Sequence, residues 1–235
     1  MNSAWLYDEQ LSAGREHLDR KCVVRYDTKA GFDPEPDIRL LQELGLNENS
    51  TLLDLGAGTG SFALAASRHC CRVVAVDVSK PMLAELDRLR SEAGIANVVP
   101  VHAGFLTYDC QGEPFDFIYS RNALHHLPDF WKAVAVARMH LVLKPGGVLR
   151  IRDLVYSFPL AQTEPSIEEW LSQATTNALN GWTRAELETH VRTEHSTFSW
   201  MLEEILERAG FRIQTAEYSD SRVFAAYVCE RARSE

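Results

Sequence analysis

The sequence predicts an α/β fold: a doubly wound, Rossmann-like mixed sheet of about seven strands with helices on both faces, its last pair antiparallel, and a helical cap inserted late in the chain. Three observations predict it. From residue 51 onward, short runs rich in branched apolar residues alternate with helical patterns, as in a parallel sheet whose crossovers are helices. The first run stops in a turn of alternating glycines and leads straight into a helical pattern. The chain closes on two apolar runs separated by a few polar residues, and strands joined so tightly must run antiparallel.

Parallel strands are expected near Thr51–Leu55, Arg72–Asp77, Val98–His102, Phe115–Ser120 and Val148–Arg152. Between them the spacing of apolar residues predicts helices near Gly60–His69, Ser79–Ala93 and Asp129–Leu141. Ser79 suits an N-cap, and Pro81 is tolerated in a first turn. The closing unit reads as a helix near Ser199–Ala209 stopped by Gly210, a strand near Phe211–Glu217, a turn at Ser219-Asp220-Ser221 and a strand near Val223–Cys229. The stretch from Leu154 to Phe198 far exceeds the usual connection of about 4–6 residues, so it reads as a functional insertion. Thr183 and Glu186 have the spacing of a capping box, which marks a helix inside it. Its Phe158, Trp170, Asn177, Trp182, His190 and His195 form either a small satellite core or the lining of an apolar pocket. The N-terminal stretch, with Trp5, Tyr7, His17, Arg25, Tyr26 and Asp27, precedes the sheet and can fold over it as a lid. The chain thus divides into a lid at 1–35, a core at 36–153, a cap at 154–198 and a closing unit at 199–235.

A chain of 235 residues with 46% apolar content can bury its own core. No segment approaches the roughly 18 uninterrupted apolar residues of a membrane span, and the polar start does not resemble a signal peptide. The five cysteines, Cys22, Cys70, Cys71, Cys110 and Cys229, lack metal-like or framework spacing. Their odd number reads as reduced thiols and a cytoplasmic location. The formal charge of −9, with no basic run, disfavours nucleic acid as a partner. A local groove with Arg121, Lys144, Arg150 and Arg152 is compatible with that charge, although solvated strand ends are the simpler reading. Edge strands and a cap are also surfaces through which a homodimer could form.

The chemistry gathers around Gly56, Gly58 and Gly60. Glycines at the end of a strand let the backbone approach a ligand closely, and Asp77 ends the next strand about 20 residues on, where ribose hydroxyls need an acceptor. That combination marks a nucleoside site. A dinucleotide fingerprint needs G-x-G-x-x-G, but here the spacing is G-x-G-x-G and Ser61 stands in the last slot. Asp54, two residues before the first glycine, would repel a diphosphate and favour a cation.

The D-x-G-x-G-x-G segment followed by Asp77 resembles class I S-adenosylmethionine-dependent methyltransferases. Phe115–Leu127, which contains Ser120-Arg121-Asn122 and His125-His126, resembles the family's fourth-strand segment. Leu143–Leu149 resembles the turn into its fifth strand. The resemblance implies an S-adenosyl-L-methionine site, with S-adenosyl-L-homocysteine as product and a small, partly apolar metabolite as methyl acceptor. It places Asp54, Gly56, Ala57, Gly58, Thr59 and Gly60 at the amino-acid end of the cofactor, Asp77 at the ribose, and Val78 and Met82 beside the adenine. Where relatives often carry an acid facing the adenine amine, this chain has Ala103-Gly104-Phe105-Leu106, so backbone groups of Gly104 and Phe105 would have to serve. Arg121 and Asn122 would lie at the reacting end.

Methyl transfer needs mainly positioning, so a protein base is optional; His125, His126 and Arg121 are the catalytic candidates. His190 and His195, five residues apart, do not share a helical face as an H-x-x-x-H pair does, and no metal is expected. An RNA or protein methyltransferase, or a non-catalytic S-adenosylmethionine-binding protein, would share this core. An NAD-dependent oxidoreductase would need phosphate-compatible glycines.

Overall fold

The structure is a computed structural model and describes residues 4–12, 14, 19–178 and 181–233. His17, expected in the lid, lies outside the described residues. Helices α1 (Glu9–Ser12), α2 (Arg20–Ala30) and α3 (Glu35–Glu43) precede the first strand. The core then alternates β1 (Thr51–Leu55), α4 (Ser61–Ala66), β2 (Arg72–Asp77), α5 (Lys80–Glu92), β3 (Val98–His102), β4 (Phe115–Arg121), α6 (Asp129–Val142) and β5 (Leu143–Tyr156). The insertion contributes α7 (Thr163–Ser172), α8 (Arg184–Thr193) and the short β6 (Thr197–Phe198). α9 (Ser199–Arg208), β7 (Phe211–Tyr218) and β8 (Phe224–Arg231) complete the chain.

The sheet order is β3-β2-β1-β4-β5-β8-β7, with β6 attached to β5. β1 to β5 are parallel, and β8 runs antiparallel to both β5 and β7. The order reverses between β1 and β4, which opens a crevice beyond their carboxyl ends. Alternation explains why both faces are covered. Leu52, Val73, Ala75 and Phe117 pack with Ile38, Leu41, Phe62 and Leu86 on one side. Leu53, Val74, Val76 and Ile118 pack with Val136, Met139 and Leu206 on the other. Strands buried on both faces read as continuous apolar runs, and these do.

The expected bounds of two elements shift for physical reasons. β5 starts at Leu143 rather than Val148 because Lys144-Pro145-Gly146-Gly147 is absorbed as an irregularity in its pairing with β4, between the Phe115–Leu143 and Phe117–Val148 pairs. It also continues to Tyr156, across the expected core–cap boundary at 153/154, because Leu154 pairs with Phe224 and Val155 with Thr197. The first crossover helix starts at Ser61, since Gly60 caps it in the left-handed region at φ +86°, and ends at Ala66, after which Arg68 and His69 bond three residues back rather than four. Ser79 accepts a hydrogen bond from the Met82 N–H at 3.2 Å as the N-cap of α5. Thr183 and Glu186 form both halves of the capping box that starts α8. Among the described residues no helix is long and apolar enough to cross a membrane.

Candidate active site

The crevice beyond β1 and β4 holds a cleft lined by Asp54, Gly56, Ala57, Gly58, Thr59, Asp77, Val78, Met82, Gly104, Phe105, Arg121 and Asn122. Thirteen positions were expected around the cofactor, and only Gly60 stands outside this lining. A Cβ on Gly60 would lie 2.5 Å from Leu86, so this glycine lets α5 pack close instead. Gly56, at φ +77°, leaves no room either: a Cβ there would stand 2.3 Å from that of Ala123. Gly56→Ala is therefore expected to lose about 1–2 kcal/mol from the left-handed backbone alone, with the clash adding to it. Thermal denaturation checks this.

Two buried carboxylates, Asp54 and Asp77, dominate the polar groups of the cleft. Asp77 accepts from the Gly58 N–H at 2.8 Å and the Ser79 N–H at 2.7 Å, which fixes its carboxylate at the tip of β2. Burial raises its pKa against those hydrogen bonds. Asp54 is buried, and one of its carboxylate oxygens has no hydrogen-bond partner. Burial, and then repulsion from Asp77, push its pKa well up. Buried acceptors left unpaired are rare enough to need an explanation, and a cationic ligand supplies one. Asn122 presents a similarly unpaired buried Oδ1 and holds a left-handed backbone at φ +48°.

The N-terminal segment reaches into the same cleft. Asp27, on α2, accepts from the Thr59 hydroxyl at 2.5 Å and the Ser61 hydroxyl at 3.1 Å, tying the lid to the glycine turn. Glu9, on α1, accepts from the Leu106 N–H at 3.1 Å and is 8% exposed. A Cβ on Gly104 would lie 2.4 Å from the Glu9 carboxylate. An acid therefore does stand after β3, supplied by the N-terminus rather than by the strand. Its local sequence gave no signal for this, since the contact joins residues almost a hundred positions apart.

A second cavity, of about 930 Å³, opens beside the first and shares Tyr26, Asn122 and His126 with it. Its walls include Trp170, Trp182, Leu187, His190 and Glu194 from the insertion, and Leu154 and Phe224 from the sheet. Lys29 of the lid pairs with Glu186 of the cap at 2.6 Å and lies 3.9 Å over the Trp182 ring, so lid and cap meet across it. The insertion's aromatics divide: Phe158 and Trp170 belong to a satellite core with Leu154, Leu171 and Val223, while Trp170 also faces the cavity together with Trp182.

His125 sits in the wall of this second cavity, bound to two carboxylates. Its Nδ1–H donates to Asp153, and its Nε2 lies 3.0 Å from Glu194. Burial would lower its pKa, but Asp153 and Glu194 outweigh that and raise it to about 9. Asp153 also accepts from the N–H groups of Leu124 and Leu154, both at 2.7 Å. His126 borders both cavities. His190 was expected not to share a helical face with His195, and its partner is Glu194, four residues on, at 2.7 Å. The His190–Glu194 spacing is that of a shared helix face, a signal present in the sequence, whereas Asp153 lies inside β5, where no motif marked it.

Arg121 faces the other way from the histidines. Its guanidinium stacks 4.0 Å over Phe32 and lies 3.8 Å from Asp37, which also accepts from Tyr119 at 2.8 Å and Arg150 at 3.0 Å. The four basic residues do not form a free groove. Arg150 is buried on Asp37, Lys144 pairs with Asp116 at 2.7 Å, and Arg152 lies over Phe224. Nor are Arg121 and Arg150 simply solvated strand ends, because Asp37 pairs with both from α3, where no motif marked it.

Residues 52–147, spanning both halves of the cleft, match the methyltransferase domain family. Over those residues the chain is similar to the class I S-adenosylmethionine-dependent methyltransferases. The chain is 30% identical over 131 residues to phosphoethanolamine N-methyltransferase 2 of Caenorhabditis elegans, covering 54% of this chain and 29% of that protein. It is 30% identical over 114 residues to a demethylmenaquinone methyltransferase of Staphylococcus aureus, covering 47% and 46%. The chain thus spans less than half the length of these two curated relatives. In fold, the chain resembles the [4+2]-cyclase SpnF with a TM-score of 0.71 at 16% identity, covering 97% of this chain and 98% of that one.

Proposed function

We propose that this methyltransferase passes a methyl group from S-adenosylmethionine to a small, partly apolar metabolite held in the second cavity. The observation that carries the reading is the meeting of the two cavities at Asn122, His126 and Tyr26, one suited to a charged nucleoside and the other to a compact organic molecule. About 930 Å³ is within the range of pockets for small ligands.

The cofactor brings an electrophilic methyl group on a sulfonium, so the protein's work is chiefly placement. Asp54 offers its unpaired oxygen to the cationic end, and Asp77 takes the ribose hydroxyls. Gly104 and Phe105, with Glu9 beside them, receive the adenine. His126 stands at the junction, where it can orient the acceptor or take its proton. His125 does neither as readily, because its proton is held between Asp153 and Glu194.

Asp77→Ala is expected to weaken S-adenosylhomocysteine binding by about 1–3 kcal/mol, the loss of a charge-assisted acceptor. Calorimetry on wild type and variant checks it, and unchanged affinity removes Asp77 from the site. A screen of small carboxylates, phenols and amines with methyl-labelled cofactor tests transfer itself. The likeness to SpnF supports a second reading, since a cyclase uses the same fold: binding of the cofactor without label transfer to any acceptor favours it.

A further inference from the structure

The Asp153–His125–Glu194–His190 cluster does more than pin the cap to the sheet. We propose that His125, His190 and Glu194 form a divalent-cation site of two imidazoles and one carboxylate in the wall of the second cavity, where the ion holds an anionic oxygen of the methyl acceptor. The inference rests on the proposed function for the cavity's role, and on the geometry below for the ion.

The three ligating atoms lie within 4.8 Å of one another. Glu194 Oε2 is 3.0 Å from His125 Nε2 and 2.7 Å from His190 Nδ1. Ligands about 2.1 Å from one ion stand roughly 3.0–3.4 Å apart, so small side-chain movements convert these hydrogen bonds into coordination. Each imidazole already has its other nitrogen engaged on the outer side. His125 Nδ1 donates to Asp153, and His190 Nε2 lies 2.8 Å from the Ser196 hydroxyl. That is the outer support that fixes ring tautomer and orientation around protein-bound metals.

Charge points the same way. Asp153 and Glu194 bring two negative charges; without an ion the proton on His125 balances one of them, and a dication that displaces this proton balances both. The nearest other charged or titratable groups do not supply that balance: Lys132 is engaged by Asp129 at 2.7 Å and by the His195 carbonyl, and His126 Nδ1 is 3.8 Å from Glu194. Three protein ligands also leave coordination positions open, and all three line the cavity. Two imidazoles and a carboxylate, with no thiolate, suit Zn²⁺, Co²⁺, Mn²⁺ or Fe²⁺. The acceptor class that follows is a molecule with a carboxylate, phenolate or enolate oxygen beside its methylation site.

The test is titration of chelator-treated protein with Co²⁺, followed by visible ligand-field absorption and by metal analysis after gel filtration. One equivalent with a saturable spectrum is expected. His190→Ala and Glu194→Gln are each expected to weaken Co²⁺ binding about 100-fold or more, while His69→Ala, whose ring bonds to Gln42 outside the cavity, leaves it unchanged. Circular dichroism confirms that each variant is folded, and His190→Gln replaces His190→Ala if that variant is not. Absence of saturable binding, or binding that survives both cavity variants, overturns the proposal and leaves the cluster as an ion-pair latch. Because the readout uses neither cofactor nor acceptor, failure here leaves methyl transfer standing, and failure of S-adenosylmethionine binding leaves the cation result standing.

Discussion

Replacing Asp153 with alanine is expected to lower the unfolding free energy by about 3–5 kcal/mol, because the change strips a buried cationic partner of its counter-charge. The carboxylate is 1% exposed. One oxygen accepts from the backbone of Leu124 at 2.7 Å, with Ala123 and His125 at 3.3 Å, and the other accepts from the His125 ring and Leu154. The turn carrying both histidines is therefore built around a single side chain. Burial works against its ionised form, but the His125 charge and these donors outweigh that and hold its pKa below the usual range. Alanine leaves the ring and several N–H groups without acceptors, and each buried orphan costs about 1–3 kcal/mol. Asp153→Asn keeps the shape and one acceptor oxygen, so its loss is expected to be about half as large. Urea denaturation of the three proteins measures this. A loss below about 1 kcal/mol in the alanine variant is incompatible with a buried, paired carboxylate at this position.

The contrast between what the sequence disclosed and what it withheld follows sequence distance. β1, β2 and β3 carry the expected bounds because their apolar runs end at glycines, charges or a polar turn, and those signals are local. The cleft was legible for the same reason: Asp54, Gly56, Gly58 and Asp77 belong to two adjacent strand–turn units. β5 was read too short because Pro145-Gly146-Gly147 signals a break, and only pairing to β4 and β8 shows that the strand absorbs it. The two residues of β6 are too few for any periodicity, so they exist as a strand only through Val155 and Tyr156. Glu9, Asp37 and Asp153 escaped for a shared reason. Each is a carboxylate whose partners lie far along the chain, and nothing near it in sequence distinguishes it from a solvated acid.

The lid residue Glu9 is where that hidden chemistry gives the second large effect, a pH dependence of the N-terminal segment. Burial raises its pKa from 4.5 to about 7, against hydrogen bonds from Leu106, Phe105 and Thr107 and the charge of Arg138. An acid with a raised folded-state pKa binds more protons docked than undocked across that interval. Docking is therefore strongest below about pH 4.5 and weakens as pH rises through about 7, by about 3 kcal/mol in all. Hydrogen exchange of the α1 amides checks this: protection is expected to fall about 100-fold over the interval in the wild type and to stay level in Glu9→Gln. Equal pH profiles in the two proteins refute the assignment. One carboxylate oxygen of Glu9 is buried with no hydrogen-bond partner, and Gly104 and Phe105 of the proposed adenine pocket stand beside it. A ligand amine donating to that oxygen favours the ionised form, which lowers the docked pKa. Saturating S-adenosylhomocysteine is accordingly expected to move the transition to lower pH, and adenosine to do the same more weakly, whereas methionine, which lacks the purine, leaves it in place.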